Sequence, residues 1–430
     1  MITDLLFTII ILTFLIFGLK YPYISLSGII WIDTIKPQQL SFSFLAEKPL
    51  SFLATGIFFL SVFLNIRAIK FPKVKMPLIM LILMMIWITV TTLKAQYPDL
   101  AMFKYEVAIK TMIFVTWMPF ILDSRKKIEC LIWIFIVSVG FFIFIEGCKT
   151  ILGGGGYSIS IVQSSAVNSG ITETSTFSAL TVAIAPFICY LYLYSSAARN
   201  NKYLRFYLLV LGITSLFAVI GTYARTGLVA AAVLAVLMFF ISRHKWSLLI
   251  IGVVSGLIII PMLQSDWVAR MSTITNANEE NSALVRLLVW RWTIDYASKH
   301  PVFGGGFFSY NDNRLMLQQY ARDDEVVEVN EKGRAFHSII FELLGEHGYV
   351  GLLIYLSLIG FSLKALLPFL GKKYQEISWL HYLSKMIMIS VIVYIVGGLF
   401  VSIAFEPWLF YILFFGSSLQ NLSIAESRNN

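Results

Sequence analysis

RAFHSIIFELLGEHGYVG, residues 334–351, is where the one long polar stretch of this chain runs back into apolar sequence, and its reading decides the fold. The polar stretch extends from Gln264 to Glu346 and mixes acids with Arg270, Arg286, Arg291, Lys299, Arg314, Arg322, Lys332 and Arg334. On both sides of it lie successive apolar runs of the length that crosses hydrocarbon, about 20 residues of helix. The 430 residues are 58% hydrophobic and 13% charged, against about 25% charged in soluble domains. A soluble fold cannot hide that much apolar surface, so the chain reads as an all-α polytopic membrane protein.

Candidate spans fall at 5–19, 22–36, 49–66, 76–93, 105–122, 129–147, 176–196, 204–222, 226–242, 247–263, 347–368, 380–402 and 406–422, which gives twelve or thirteen. The organisation is an N-terminal bundle (1–263), a polar loop (264–346) and C-terminal spans (347–430). The run from Leu5 to Leu19 follows only Asp4 as a charge and ends without a small-residue cleavage site, so it reads as a retained span. Cys130, Cys148 and Cys189 are widely and irregularly spaced, which points to neither a disulfide framework nor a metal site.

Lys and Arg gather in short loops: Arg67 to Lys75, Arg125 to Lys127, Arg199 to Arg205, Arg243 with Lys245, and Lys372 with Lys373. Threaded through the spans, all fall on one side, the cytoplasm by the positive-inside rule. The formal charge of +9 is therefore a topology signal, and no nucleic-acid partner is expected. The opposite side receives 95–104, 149–175, 221–227 and the long loop. In a Gram-negative cell this is the periplasmic side of the inner membrane, which has no nucleotide pool, so an activated substrate must arrive on a lipid.

Arg225 lies in Thr222-Tyr-Ala-Arg225-Thr-Gly227, between two apolar runs. An arginine at membrane depth costs about 2.5 to 3.5 kcal/mol and usually has a cavity or partner. Two readings stand: an interfacial side chain snorkelling to headgroups, or a bidentate clamp on a phosphate. Arg286, in a helical, aromatic-faced segment with Trp290 and Arg291, is a second phosphate ligand or part of a solvated face. Gly304-Gly305-Gly306 lacks the Lys-Ser/Thr of a nucleotide loop and reads as a turn that re-aims the chain. His337 sits where the polar loop meets the apolar wall, at the start of a helix carrying Glu342 and Glu346, with Arg334 three residues earlier. It is a structural histidine or, with its near-neutral pKa, a general base. Glu106 and Lys110 are spaced to pair on one helix face, and Lys110 is also a candidate cation for an outward-facing cavity.

In their order these motifs resemble the O-antigen ligase family of bacterial membrane glycosyltransferases, which also holds O-antigen polymerases and protein O-oligosaccharyltransferases. The resemblance rests on Thr222-Tyr-Ala-Arg225-Thr-Gly227, Ser282-Ala-Leu-Val-Arg286 with Trp290, His300-Pro-Val-Phe-Gly-Gly-Gly306-Phe307, Phe336-His337-Ser338 and Leu344-Gly-Glu-His-Gly348-Tyr-Val-Gly351. Trp31 to Pro37 and Gly153-Gly-Gly-Gly-Tyr157 resemble the branch associated with exosortase systems, described as O-glycosylation ligases. What the resemblance implies is a helical fold of the GT-C type with a periplasmic helical loop. It also implies transfer of a glycan from undecaprenyl pyrophosphate to an acceptor hydroxyl, with inversion and with no metal or cofactor. Carried over, His337 is the catalytic base or acceptor-positioning residue, and Arg225 and Arg286 hold the pyrophosphate. Tyr223, Trp290, Arg291, Arg334, Glu346 and Lys110 support them. Where relatives tend to carry an Asp-Asn-Asn-like element, this chain has Glu173-Thr-Ser-Thr-Phe177.

The expected partners are the undecaprenyl pyrophosphate-linked donor, membrane lipids, and an acceptor that is lipid A-core sugar, a protein or another glycan chain, the first being preferred. From another class, a lipid-glycan transporter or flippase also has many spans and intramembrane cations, but the hydropathy shows no repeated half.

Overall fold

The computed structural model describes residues 2–41, 43–46, 48–73, 75–155, 171, 173–242, 245–246, 277–322 and 333–422, and every regular element among them is helical. In chain order these are α1 (Ile2–Lys20), α2 (Pro22–Ile35), α3 (Pro37–Leu40), α4 (Leu50–Leu64), α5 (Met76–Leu93), α6 (Pro98–Ile121), α7 (Arg125–Gly153), α8 (Thr174–Tyr194), α9 (Ser196–Asn200), α10 (Lys202–Gly221), α11 (Arg225–Ile241), α12 (Ala277–Lys299), α13 (Ile339–Leu366), α14 (Ser378–Gly398) and α15 (Pro407–Leu419). Among the described residues seven helices are long and apolar enough to cross a membrane, and α4, α11 and α15 are shorter apolar helices. The chain is an all-α polytopic membrane protein, as its composition requires: in lipid each backbone polar group needs an internal partner, which a helix supplies. The expected span at 247–263 and the acidic run from Asp323 lie outside the described residues.

Three helices begin before their apolar runs: α6 at Pro98, α7 at Arg125 and α13 at Ile339. Charged residues lie early in each, Asp99 and Lys104 in α6, Arg125 to Lys127 in α7, and Glu342 and Glu346 in α13, so hydropathy alone starts the spans later than the helices. For α6 the signals were present, with proline at the first helical position and Asp99 in the first turn.

Side-chain contacts sort the loops onto two ends of the bundle. At one end the Lys73 ammonium donates to the Asn421 carbonyl (3.2 Å), the Asn421 amide donates to the Pro119 carbonyl, and Arg125 donates to the Tyr194 carbonyl (2.6 Å) while lying 4.6 Å from the Trp379 ring. These are the loops that carry the basic clusters. At the other end the Gln96 amide donates to Gly305 (3.1 Å), Tyr97 to Asp312 (2.7 Å), and the Ala404 amide to Glu342 (2.9 Å). In the bundle α8 packs on α14, α7 on α10, α5 on α13 and α6 on α15, with α12 laid against α13.

The polar-to-apolar junction quoted above is a broken helix. Gly348 in α13 has φ 68° and ψ −173°, a conformation essentially reserved for glycine. The break strands backbone groups, and the glycine-rich turn satisfies them: Gly305 N–H donates to Gly345 O (2.9 Å), Gly306 N–H to Glu346 O (2.8 Å) and Tyr349 N–H to Pro301 O (2.9 Å). The Trp87 indole N–H donates to His347 O (3.0 Å). Gly304 to Gly306 thus re-aims the chain against α13 rather than binding a nucleotide. A Cβ at Gly348 would lie 2.5 Å from the Val302 carbonyl oxygen. Gly348→Ala is therefore expected to cost at least the ~1–3 kcal/mol of that backbone strain, read as a lower midpoint of thermal unfolding in detergent. Gly360→Ala, where a Cβ meets nothing within 4 Å, is the control expected to show no loss.

Candidate active site

The loop from Arg334 to Ser338 is pinned from three sides before it enters α13. Asn313 exchanges two 2.8 Å hydrogen bonds with the Arg334 backbone. The Trp290 indole N–H donates to the Phe336 carbonyl (2.8 Å), and its ring stacks on Phe341 at 4.9 Å. Phe336 is buried against Trp292 and Tyr310. So held, His337 adopts φ 48°, a left-handed conformation uncommon for a residue with a side chain. Tyr223, in the turn that starts α11 at Arg225, does the same at φ 54°; its hydroxyl donates to Gly154 O (3.0 Å) at the C-terminal end of α7.

His337 lines a cavity of ≈ 290 Å³ together with Lys104, Glu173, Tyr310, Glu346 and Glu406. Its imidazole is held below its ordinary pKa by burial and then by the positive field of Arg286, with Arg334 adding and Glu173 opposing. Arg286 in turn feels burial, then Arg225, with Glu173 as its compensating acid. Two guanidiniums and an imidazole from α11, α12 and the start of α13 therefore share one electrostatic neighbourhood. Glu173 caps α8, accepting from Ser175 N (3.3 Å) and Thr176 N (2.7 Å), so this segment puts an acid within electrostatic reach of Arg286 and His337.

Part of the cavity wall is a triad of two buried carboxylates and a partly buried ammonium. Lys104 Nζ bridges Glu342 (2.7 Å) and Glu346 (2.8 Å). Phe308 N–H donates to Glu346 (3.0 Å) and Ala404 N–H to Glu342 (2.9 Å). Removing one member of such a cluster leaves unpaired buried charge, at about 3–5 kcal/mol. Lys104→Met is expected to lower stability by that order, checked by thermal unfolding of the purified protein. An unchanged midpoint would show that the two carboxylates need no counter-ion.

The supporting residues divide. Trp290 and Arg334 belong to the loop of His337, Tyr223 to the turn of Arg225, and Glu346 to the cavity wall. Arg291 instead donates to the Tyr320 carbonyl (3.0 Å). Lys110 is corrected on two counts: it pairs with Asp33 of α2 (2.7 Å) rather than with Glu106 on its own helix, and it lines a different cavity. Helix packing brings Asp33 within reach, which spacing along one helix cannot reveal. Lys104 was missed as a site residue because the span was drawn from 105; Glu173 and Glu406 carried no motif. His347 is buried, bonded to Thr91 (2.8 Å) and boxed by Phe307 and Phe405. Among the described residues no group of three or more His, Cys, Asp or Glu is placed to hold a metal ion.

A polytopic helical bundle with a charged cavity at one end, walled by a polar loop, is the class the fold and site define. Residues 207–356, which include Arg225, Arg286 and His337, match the family model described as O-antigen ligase. Residues 207–356 are thus an O-antigen ligase domain, which supports a membrane ligase or polymerase function of the glycosyltransferase type and implies lipid-linked glycan and acceptor substrates in a membrane. Residues 2–196 match a family of unknown function. No curated protein matches the chain.

Proposed function

We propose that the protein transfers a glycan from undecaprenyl pyrophosphate to an acceptor hydroxyl, with lipid A-core sugar as the first-ranked acceptor, in a GT-C-type fold whose cavity faces the periplasm. The observation that carries the proposal is the shared neighbourhood of Arg225, Arg286 and His337. Arg286 is half-buried beside a like charge, an arrangement that favours an anionic ligand and suits the bidentate geometry of phosphate.

In the reaction the acceptor oxygen attacks the sugar C1 from the face opposite the carrier, and the C1–O bond to pyrophosphate breaks with its electron pair. The acceptor's proton passes to the His337 imidazole, which burial and Arg286 keep neutral and able to take it. Negative charge grows on the departing pyrophosphate, so guanidiniums fixed beside it stabilise the transition state more than the ground state. That supports an inverting transfer without a metal.

The test is reconstitution of purified protein in proteoliposomes with undecaprenyl pyrophosphate-linked glycan and lipid A-core, without an energy source. A covalent glycan–core product is expected. Product on a protein or on a second glycan chain instead would reassign the acceptor within the family. Movement of the lipid-linked glycan with no new bond would replace the enzyme with a transporter.

A further inference from the structure

A second cavity, of ≈ 200 Å³, opens between α2, α3, α6 and the start of α15. Most of its wall comes from the part of the chain that matches the family of unknown function. Its charges are Asp33 and Glu406 against Lys36 and Lys110, so two carboxylates balance two ammoniums and no net field favours a pyrophosphate. Lys110 Nζ and the Ser51 hydroxyl both bond Asp33 Oδ1 at 2.7 Å, which leaves Oδ2 to accept from a ligand. Two further polar atoms of the lining residues are buried with no partner among the described residues: the Gln38 side-chain oxygen and the indole nitrogen of Trp408, a residue only 3% exposed. Such orphans cost about 1–3 kcal/mol each. Lys36, at the turn into α3, has φ 52°, so one strained backbone position lines this cavity too.

A ligand that answers this lining must be uncharged and carry several groups that both donate and accept. It must fit a carboxylate oxygen, an amide oxygen, an indole N–H and ammonium groups within the span of one ring. We propose that the second cavity is a carbohydrate subsite that takes one neutral sugar residue. Sugar hydroxyls are the groups that serve every one of those partners at once. Val107 and Glu406 line this cavity and that of His337 alike, so a sugar held here abuts the place of transfer. Its role in transfer, though not its binding, rests on the function proposed above.

The experiment is saturation-transfer NMR on the full chain in nanodiscs with two probes: deacylated core oligosaccharide, and glycan freed from its carrier lipid by mild acid. Binding of either is expected to weaken at least about tenfold in Trp408→Phe, which keeps the ring and removes the N–H, and independently in Gln38→Leu. Gly360→Ala, where an added Cβ meets nothing within 4 Å, is expected to bind as wild type does. Core binding makes this the acceptor subsite and raises KM for the acceptor alone in both variants, with kcat retained; glycan binding makes it a donor subsite and raises KM for the donor. Binding of neither probe, or binding indifferent to both substitutions, overturns the inference and leaves the orphan atoms to water. A protein that binds a probe through Trp408 and Gln38 yet transfers nothing would sink the transferase and leave the subsite standing.

Discussion

Replacing His337 with alanine is expected to lower glycan transfer by about 10²- to 10⁴-fold, the range typical of a lost general base, while the protein still purifies as a folded, monodisperse species. The fold should survive because the loop is held by Trp290, Asn313 and Phe336 rather than by the imidazole. Histidine is favoured over most residues at positive φ, so alanine at φ 48° is expected to cost a little stability without unfolding the protein. Transfer by His337→Ala within a few-fold of wild type would remove the base assignment.

The pH profile gives the same assignment a second test. Burial and Arg286 depress the imidazole pKa below 6.5, so the neutral, proton-accepting form persists below that pH. The acid limb of kcat/KM is therefore expected below pH 6.5. Arg286→Gln removes a like charge and should move the limb of the residual activity upward. A limb that stays in place in that variant would mean that another group titrates.

The second large effect concerns the arginines. Arg286→Lys and Arg225→Lys keep a positive charge but lose the planar fork that meets two phosphate oxygens at once. Removing one preorganised donor from a developing anion typically costs about 10²–10³ in kcat, and a loss of about 10² is expected in each lysine variant. Arg291→Lys is the comparison: its guanidinium bonds the Tyr320 carbonyl on the loop side, so its effect should be on stability with kcat nearly retained. Equal rates for Arg286→Lys and wild type would leave Arg286 as a surface cation, and the same result at Arg225 would leave that residue as a helix anchor.

The residues that drew attention in the sequence did so by standing out from their surroundings. Arg225 interrupts apolar runs, and His337 marks the edge of a polar stretch. Lys104 and Lys110 were harder to assign, since both are basic residues of one helix, six positions apart. Their partners are on α13 and α2. One signal for Lys110 was available, because a charge at membrane depth needs a partner and Asp33 lay in another span. The pairing of Lys104 with Glu342 and Glu346 had no such signal, since all three stood outside the apolar runs, the two acids on the helix that leads out of the polar stretch.

Composition and hydropathy alone determined that this chain is a helical membrane protein and which loops share the basic end, because the cost of putting polar backbone and charge into lipid leaves little choice. The order of motifs was enough to suggest the family. Only the tertiary structure decided which charges meet. An ion pair or a shared cavity depends on how separate helices pack, and no spacing along one helix encodes that: packing brought Arg286 within electrostatic reach of Arg225 and of His337, gave Lys104 two carboxylates, and put Lys110 at a second cavity.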